Sequence, residues 1–182
     1  MNVHRFVAVA VAAIVWAVAI PALAQVVVGG APMYANKDIV DNAVNSKDHT
    51  TLVSAVKAAG LVDTLEGPGP FTVFAPTNAA FAKLPAGTVD TLVQPQNKDK
   101  LTQILTYHVV PGRLTAAELK ARAKAGGGKA MLKTAEGEEL TVRVKGGAVW
   151  LIDAKGGMDR VTIPNVNQSN GVIHVVDTVL MP

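Results

Sequence analysis

Beyond residue 24, acid–base or nucleophilic chemistry would have to come from His49, His108 and His174 or from Ser46, Ser54 and Ser169. A serine nucleophile needs a sharp turn of the Gly-x-Ser-x-Gly kind and a histidine within hydrogen-bond reach. No such elbow is present. Ser169 stands close before His174, but a loop followed by a strand gives no reason for the two to meet. The histidines form no pair one helical turn apart, so a zinc centre has no starting point. The chain contains 0 Cys, which removes thiol catalysis, iron–sulfur clusters and cysteine zinc sites. Gly126-Gly127-Gly128-Lys129 is followed by Ala130 rather than Ser or Thr, and no strand precedes it, so a phosphate loop is not supported. Glu138-Glu139 falls in a turn where solvation explains it. These residues predict neither an enzyme nor a bound cofactor or metal.

Charge offers a different kind of chemistry. The chain has 17 Lys+Arg against 14 Asp+Glu, yet between Arg113 and Lys133 the bases Arg113, Lys120, Arg122, Lys124, Lys129 and Lys133 meet only Glu118. Such a surplus attracts an anionic surface within about 8 Å in physiological salt. The plain reading is a solvated helix face and loop. The functional reading makes Lys120, Arg122 and Lys124 a contact for an anionic polysaccharide. Aromatic residues are not interleaved with these bases, which speaks against nucleic acid.

The elements that must position these residues follow from patterning. Arg5, the apolar run from Phe6 to Ile20, Pro21 and Ala22-Leu23-Ala24 predict an export leader cleaved after Ala24. That run is shorter than the roughly 20 residues needed to cross a bilayer, and nothing later is apolar for long enough, so no transmembrane anchor is expected after cleavage. Residues 25–35 read as a leader segment joining the cleavage site to a domain over 36–182. Helical spacing predicts helices near Asp38 to Val44, Thr50 to Ala59, after Thr77-Asn78, over Lys98 to Thr106, and from Thr115 to about Lys124. Phe71 to Phe74 reads as a strand ended by Pro76, with Phe71, Phe74 and Phe81 expected to pack as one cluster. From Ala130 the period becomes two: strands at Met131–Thr134, Leu140–Val144, Val149–Ile152 and Arg160–Ile163. A last strand from Gly171 is apolar on both faces. Helices first and strands second predict a single α+β domain. Within the last strand, His174 and Asp177 need hydrogen-bond partners. A satisfied core histidine, a ligand contact and a metal ligand are the readings of His174, in that order.

Two stretches resemble the fasciclin family: Phe71-Thr72-Val73-Phe74-Ala75-Pro76-Thr77-Asn78-Ala79-Ala80-Phe81 and Asn170-Gly171-Val172-Ile173-His174-Val175-Val176-Asp177-Thr178-Val179-Leu180. Between them, Leu105-Thr106-Tyr107-His108-Val109-Val110-Pro111-Gly112 is similar to that family's Tyr-His segment. The resemblance implies a wedge or sandwich of strands with helices packed along one side, and a non-catalytic adhesion or matrix-binding module, secreted or periplasmic. The partner it implies is a cell-surface or matrix component, as in a biofilm. Tyr107 and His108 are either buried with their polar ends bonded or exposed in a contact patch. The alternative function is a small-molecule carrier or an uncharacterised enzyme, with a pocket near the Tyr-His segment.

Overall fold

The computed structural model describes residues 25–182; the leader expected over 1–24, with its cleavage after Ala24, lies outside the described residues. Residues 25–35 do not form a loose connector. Strands β1 (Val27–Val28) and β2 (Ala31–Pro32) pair as a hairpin, and Val28 and Met33 are buried in the core. Gly29, with φ of 58°, makes the turn possible: an added Cβ there would lie 2.4 Å from Ser46 Oγ.

Helix α1 (Ile39–Ala43) starts at Asp38, whose side chain accepts the N–H of Asp41, and it buries Ile39 and Asn42 while Val44 is exposed. Helix α2 (Thr50–Ala59) buries Leu52, Ala55, Val56 and Ala59 and stops at Gly60, in the left-handed conformation. Its cap comes from elsewhere in the chain. Neither Thr50 nor Thr51 performs that role; Asn78 Oδ1 accepts the Thr51 N–H at 3.0 Å. Short helix α3 (Val62–Glu66) leads to β3 (Phe71–Pro76), where Thr77 caps α4 (Asn78–Ala82). Helices α5 (Thr88–Leu92) and α6 (Lys98–Tyr107) precede β4 (Val109–Pro111). Helix α7 (Ala116–Ala125) opens with a complete capping box between Thr115 and Glu118. Strands β5 (Lys129–Lys133), β6 (Glu139–Lys145), β7 (Ala148–Ile152), β8 (Met158–Gln168) and β9 (Gly171–Val176) complete the chain.

The last seven strands in the order β4-β3-β9-β8-β7-β6-β5 form one sheet, antiparallel except for the β3–β9 pair. The period-two rule divides its residues between two cores. Val73, Ala75, Ile173 and Val175 face α1 to α6, together with Leu52, Phe81, Leu101 and Ile104. Phe74 and Val176 face the other way, into a core with Val142, Leu151 and Leu119 of α7. The three phenylalanines are therefore separated: Phe71 and Phe81 serve the first core and Phe74 the second. The sheet curls until its edges approach, with Ala135 N–H donating to the Val109 carbonyl at 2.7 Å. This is an α+β wedge, with α1 to α6 along one side and α7 covering the other core. Strand β8 continues past Pro164, where the sequence suggested an end. Two register shifts and Asn165, at φ of 60°, let the strand pass through as a bulge.

Candidate functional site

The Tyr-His segment ends α6, and the structure buries both residues. Tyr107 has no exposed surface; its hydroxyl donates to the Glu139 carbonyl and accepts the Ala154 N–H, each at 3.1 Å. Burial pushes its pKa upward from the ordinary tyrosine value. His108 is also buried. Its Nδ1–H donates to the Ile104 carbonyl at 2.8 Å, and its Nε2 accepts the Leu180 N–H at 3.0 Å. One partner is an acceptor and the other a donor, so the neutral Nδ1–H tautomer satisfies both. Burial lowers its pKa to about 4. Neither residue is available to a partner at the surface.

His174 is likewise a core histidine. Its Nε2–H donates to the Leu114 carbonyl at 2.8 Å, its Nδ1 accepts the Asn165 N–H at 3.3 Å, and the ring stacks on Phe74 at 5.7 Å between centroids. Asn165, placed by the β8 bulge, also accepts the Ala116 N–H at the start of α7, at 2.7 Å. Bulge, helix and histidine are thus one hydrogen-bonded unit. Replacing His174 by alanine is expected to cost about 1–3 kcal/mol, because the Leu114 carbonyl and the Asn165 N–H lose their partner. Urea unfolding of this variant checks the value; an unchanged midpoint would show that the ring is dispensable to the fold.

The remaining motif residues also build scaffold. Asn170 Oδ1 accepts the first N–H of α1, from Ile39, while its Nδ2 donates to the carbonyls of Leu65 and Gly67 at the end of α3. At Gly171 an added Cβ would lie 2.2 Å from the Phe71 carbonyl oxygen, so the parallel β3–β9 approach needs glycine there. Asp177 Oδ1 accepts the Arg160 N–H at 3.0 Å. Pro76 is the buried last residue of β3, Thr77 caps α4, and Asn78 ties α2 and the Lys47 carbonyl to that junction.

Three polar features escape the motif search. Ser46 Oγ lies 2.8 Å from His49 Nδ1, the contact of a nucleophile with its base. Both are buried under the N-terminal hairpin beside a cavity of about 20 Å³, and burial lowers the His49 pKa. That space holds about one water and no substrate. Asn42 and Gln168 hydrogen-bond each other in the interior. Asp159 is wholly buried, with both carboxylate oxygens unpartnered. At the Tyr-His segment, where the alternative function expects a pocket, an apolar cleft lies between Leu52, Val56, Leu105, His108 and Ile173; its volume of about 100 Å³ is below the roughly 300–1,000 Å³ of ligand pockets. Among the described residues no group of three or more His, Asp or Glu could hold a metal ion, and no helix is long and apolar enough to cross a membrane.

The basic run does not make one surface. Arg113 donates to the Gln168 carbonyl at 2.7 Å, beside the β8–β9 turn. Lys120 and Lys124 sit one turn apart on the exposed side of α7, and Arg122 lies on the other flank near Glu118. Lys129 and Lys133 belong to β5, on the sheet face turned away from α7 and its core.

The comparisons with known proteins agree with this architecture. A fasciclin domain model matches residues 47–182. The chain is 51% identical over 144 residues to the protein sll1483 of Synechocystis, covering 79% of this chain and 73% of that one. It is 36% identical over 153 residues to the cell surface glycolipoprotein MPB83 of Mycobacterium bovis, covering 81% of this chain and 62% of the relative. A solved FAS1 domain pair from the insect cell adhesion molecule fasciclin I aligns with a TM-score of 0.71 at 20% identity, over 80% of this chain and 51% of the other. At that identity the insect structure speaks for the fold alone. Matched over most of its length by the domain model, the chain is a member of the fasciclin domain family.

Proposed function

We propose that the chain is a non-catalytic binding module acting at a cell surface or in the surrounding matrix, secreted or periplasmic, and delivered there by a cleaved leader. One observation carries this reading: Tyr107, His108 and His174 spend their polar atoms on backbone groups of the fold, leaving none directed at a substrate. What the molecule offers to its surroundings is its exterior. The likeness to a cell surface glycolipoprotein is in keeping with such a role. Single-domain contacts of this kind gain strength when many copies act on one surface.

The expected outcome is saturable binding of the folded chain, labelled at one site, to envelope and matrix material from the producing organism. Binding should weaken as salt rises if the exposed bases take part, since salt screens exposed charges. A bound fraction no greater than that of an unrelated folded protein of equal net charge would overturn the proposal.

A further inference from the structure

The outer face of β5 to β8 carries a feature that the run of bases in the sequence does not show. Lys129 of β5 lies opposite Arg143 of β6, Arg143 opposite Trp150 of β7, and Trp150 opposite Arg160 of β8. Residues directly opposite on neighbouring strands project from the same face, with Cβ atoms about 4.5–5.5 Å apart. Four strands thus place cation, cation, indole, cation in one row. Their strand neighbours Val142, Val149, Leu151, Asp159 and Val161 point to the interior, so this row points outward. The three cations are exposed, whereas Trp150 is half-buried, with its Nε1–H turned inward and without an acceptor. Trp150, Lys129 and Arg143 line a depression of about 550 Å³ together with Lys145, Val144 and Met158. The acidic residue on this face, Glu139, lies at the far corner opposite Lys133.

Building on the binding-module reading above, we infer that this row is a binding site for an acidic polysaccharide, with carboxylate-bearing sugars as its ligand class. Guanidinium groups match carboxylates in a two-pronged geometry that lysine does not offer, and Arg143 and Arg160 flank the indole on both sides. The flat apolar face of Trp150 suits the C–H face of a pyranose ring. Neighbouring strands lie about 4.8 Å apart, close to the length of one pyranose unit, so a chain lying across the strands meets the row in step. A membrane surface fits less well, because the indole is half-buried and its row neighbours are charged, although Met131 and Met158 are exposed on the same face. Single-stranded nucleic acid uses several stacking aromatics, and this face has one.

The test uses the full mature chain and polygalacturonate, with neutral dextran, an oligothymidylate and anionic phosphatidylserine vesicles as comparison probes. Wild type should bind polygalacturonate and not dextran. Arg143→Gln with Arg160→Gln should weaken binding more than tenfold and reduce the log–log salt slope by about two, one per released counterion contact. Trp150→Ala should weaken it about tenfold with the slope unchanged. Lys120→Gln with Lys124→Gln, on the opposite side of the domain, should change affinity less than twofold. Thermal melts of each variant confirm folding. If the α7 pair abolishes binding while the sheet variants do not, the site assignment is overturned. Equal or tighter binding of the oligonucleotide or of the vesicles through Arg143, Trp150 and Arg160 overturns the carbohydrate assignment. A wild-type chain that ignores polygalacturonate yet binds envelope material overturns this inference and leaves the binding-module reading standing.

Discussion

His108→Ala is expected to destabilise the domain by about 3–5 kcal/mol, among the larger effects a single substitution can have. The imidazole satisfies the Ile104 carbonyl and the Leu180 N–H, and so joins the last turn of α6 to the C-terminal segment. Its removal strands both groups and leaves a cavity the size of a ring. For a domain of this length, about 2–4 °C per kcal/mol puts the loss in melting temperature near 10 °C. Circular dichroism melts measure it. His108→Gln, which restores an acceptor for Leu180 without the donor to Ile104, should fall between the two. A variant that melts with wild type would show that the Tyr-His segment is not structural here, and would reopen it as a contact site.

Asp159→Asn should act in the opposite direction, raising stability at neutral pH by about 2–3 kcal/mol. Burial raises the Asp159 pKa to about 6, opposed by the nearby Thr178 hydroxyl and by Lys83 and helped by the charges of Asp153 and Asp177. Because the folded state holds a proton that the unfolded state gives up, Asp159 makes stability fall as pH rises from about 4 to 6. At 1.36 kcal/mol per unit the shift sets an upper bound of about 3 kcal/mol. His108, with its pKa lowered to about 4, has the opposite sign: stability rises with pH between about 4 and 6.5 as the unfolded histidine loses its proton. Wild type therefore carries two opposed trends over one window. Asp159→Asn should melt like wild type near pH 4 and well above it at pH 7.5, with a steeper acid limb. A melting difference independent of pH would sink this account.

Much of the fold was legible because its signals are local. Gly60 and Thr115 mark helix ends through nearest neighbours, and the strands after Ala130 announce themselves by alternation. What was not legible depends on contacts between distant segments. Asn78 follows a capping threonine and reads as part of the same cap, yet its side chain serves α2, 27 residues earlier. Val26 to Tyr34 is short and glycine-bearing, like a linker; only the buried Val28 and Met33 show that it completes the core. The run from Arg113 to Lys133 is continuous in sequence but crosses a helix and a strand that face opposite ways. Lys129, Arg143, Trp150 and Arg160 are dispersed in sequence and meet only once strand register is known. Asp159 looked like any polar residue near a turn, and its burial follows from parity, since Trp150 points outward and Leu151, its strand partner, points in.

The position of β9 has a consequence for how the protein comes into being. Strand β9 lies between β3 and β8, so the middle of the sheet stays vacant until Gly171–Val176 has been made. Pairing Phe71 with Gly171 closes a loop of roughly 100 residues, a non-local step of the kind that slows folding. A chain emerging amino end first would remain open until β9 has emerged. Loss of even the last dozen residues would leave β3 and β8 with no strand between them.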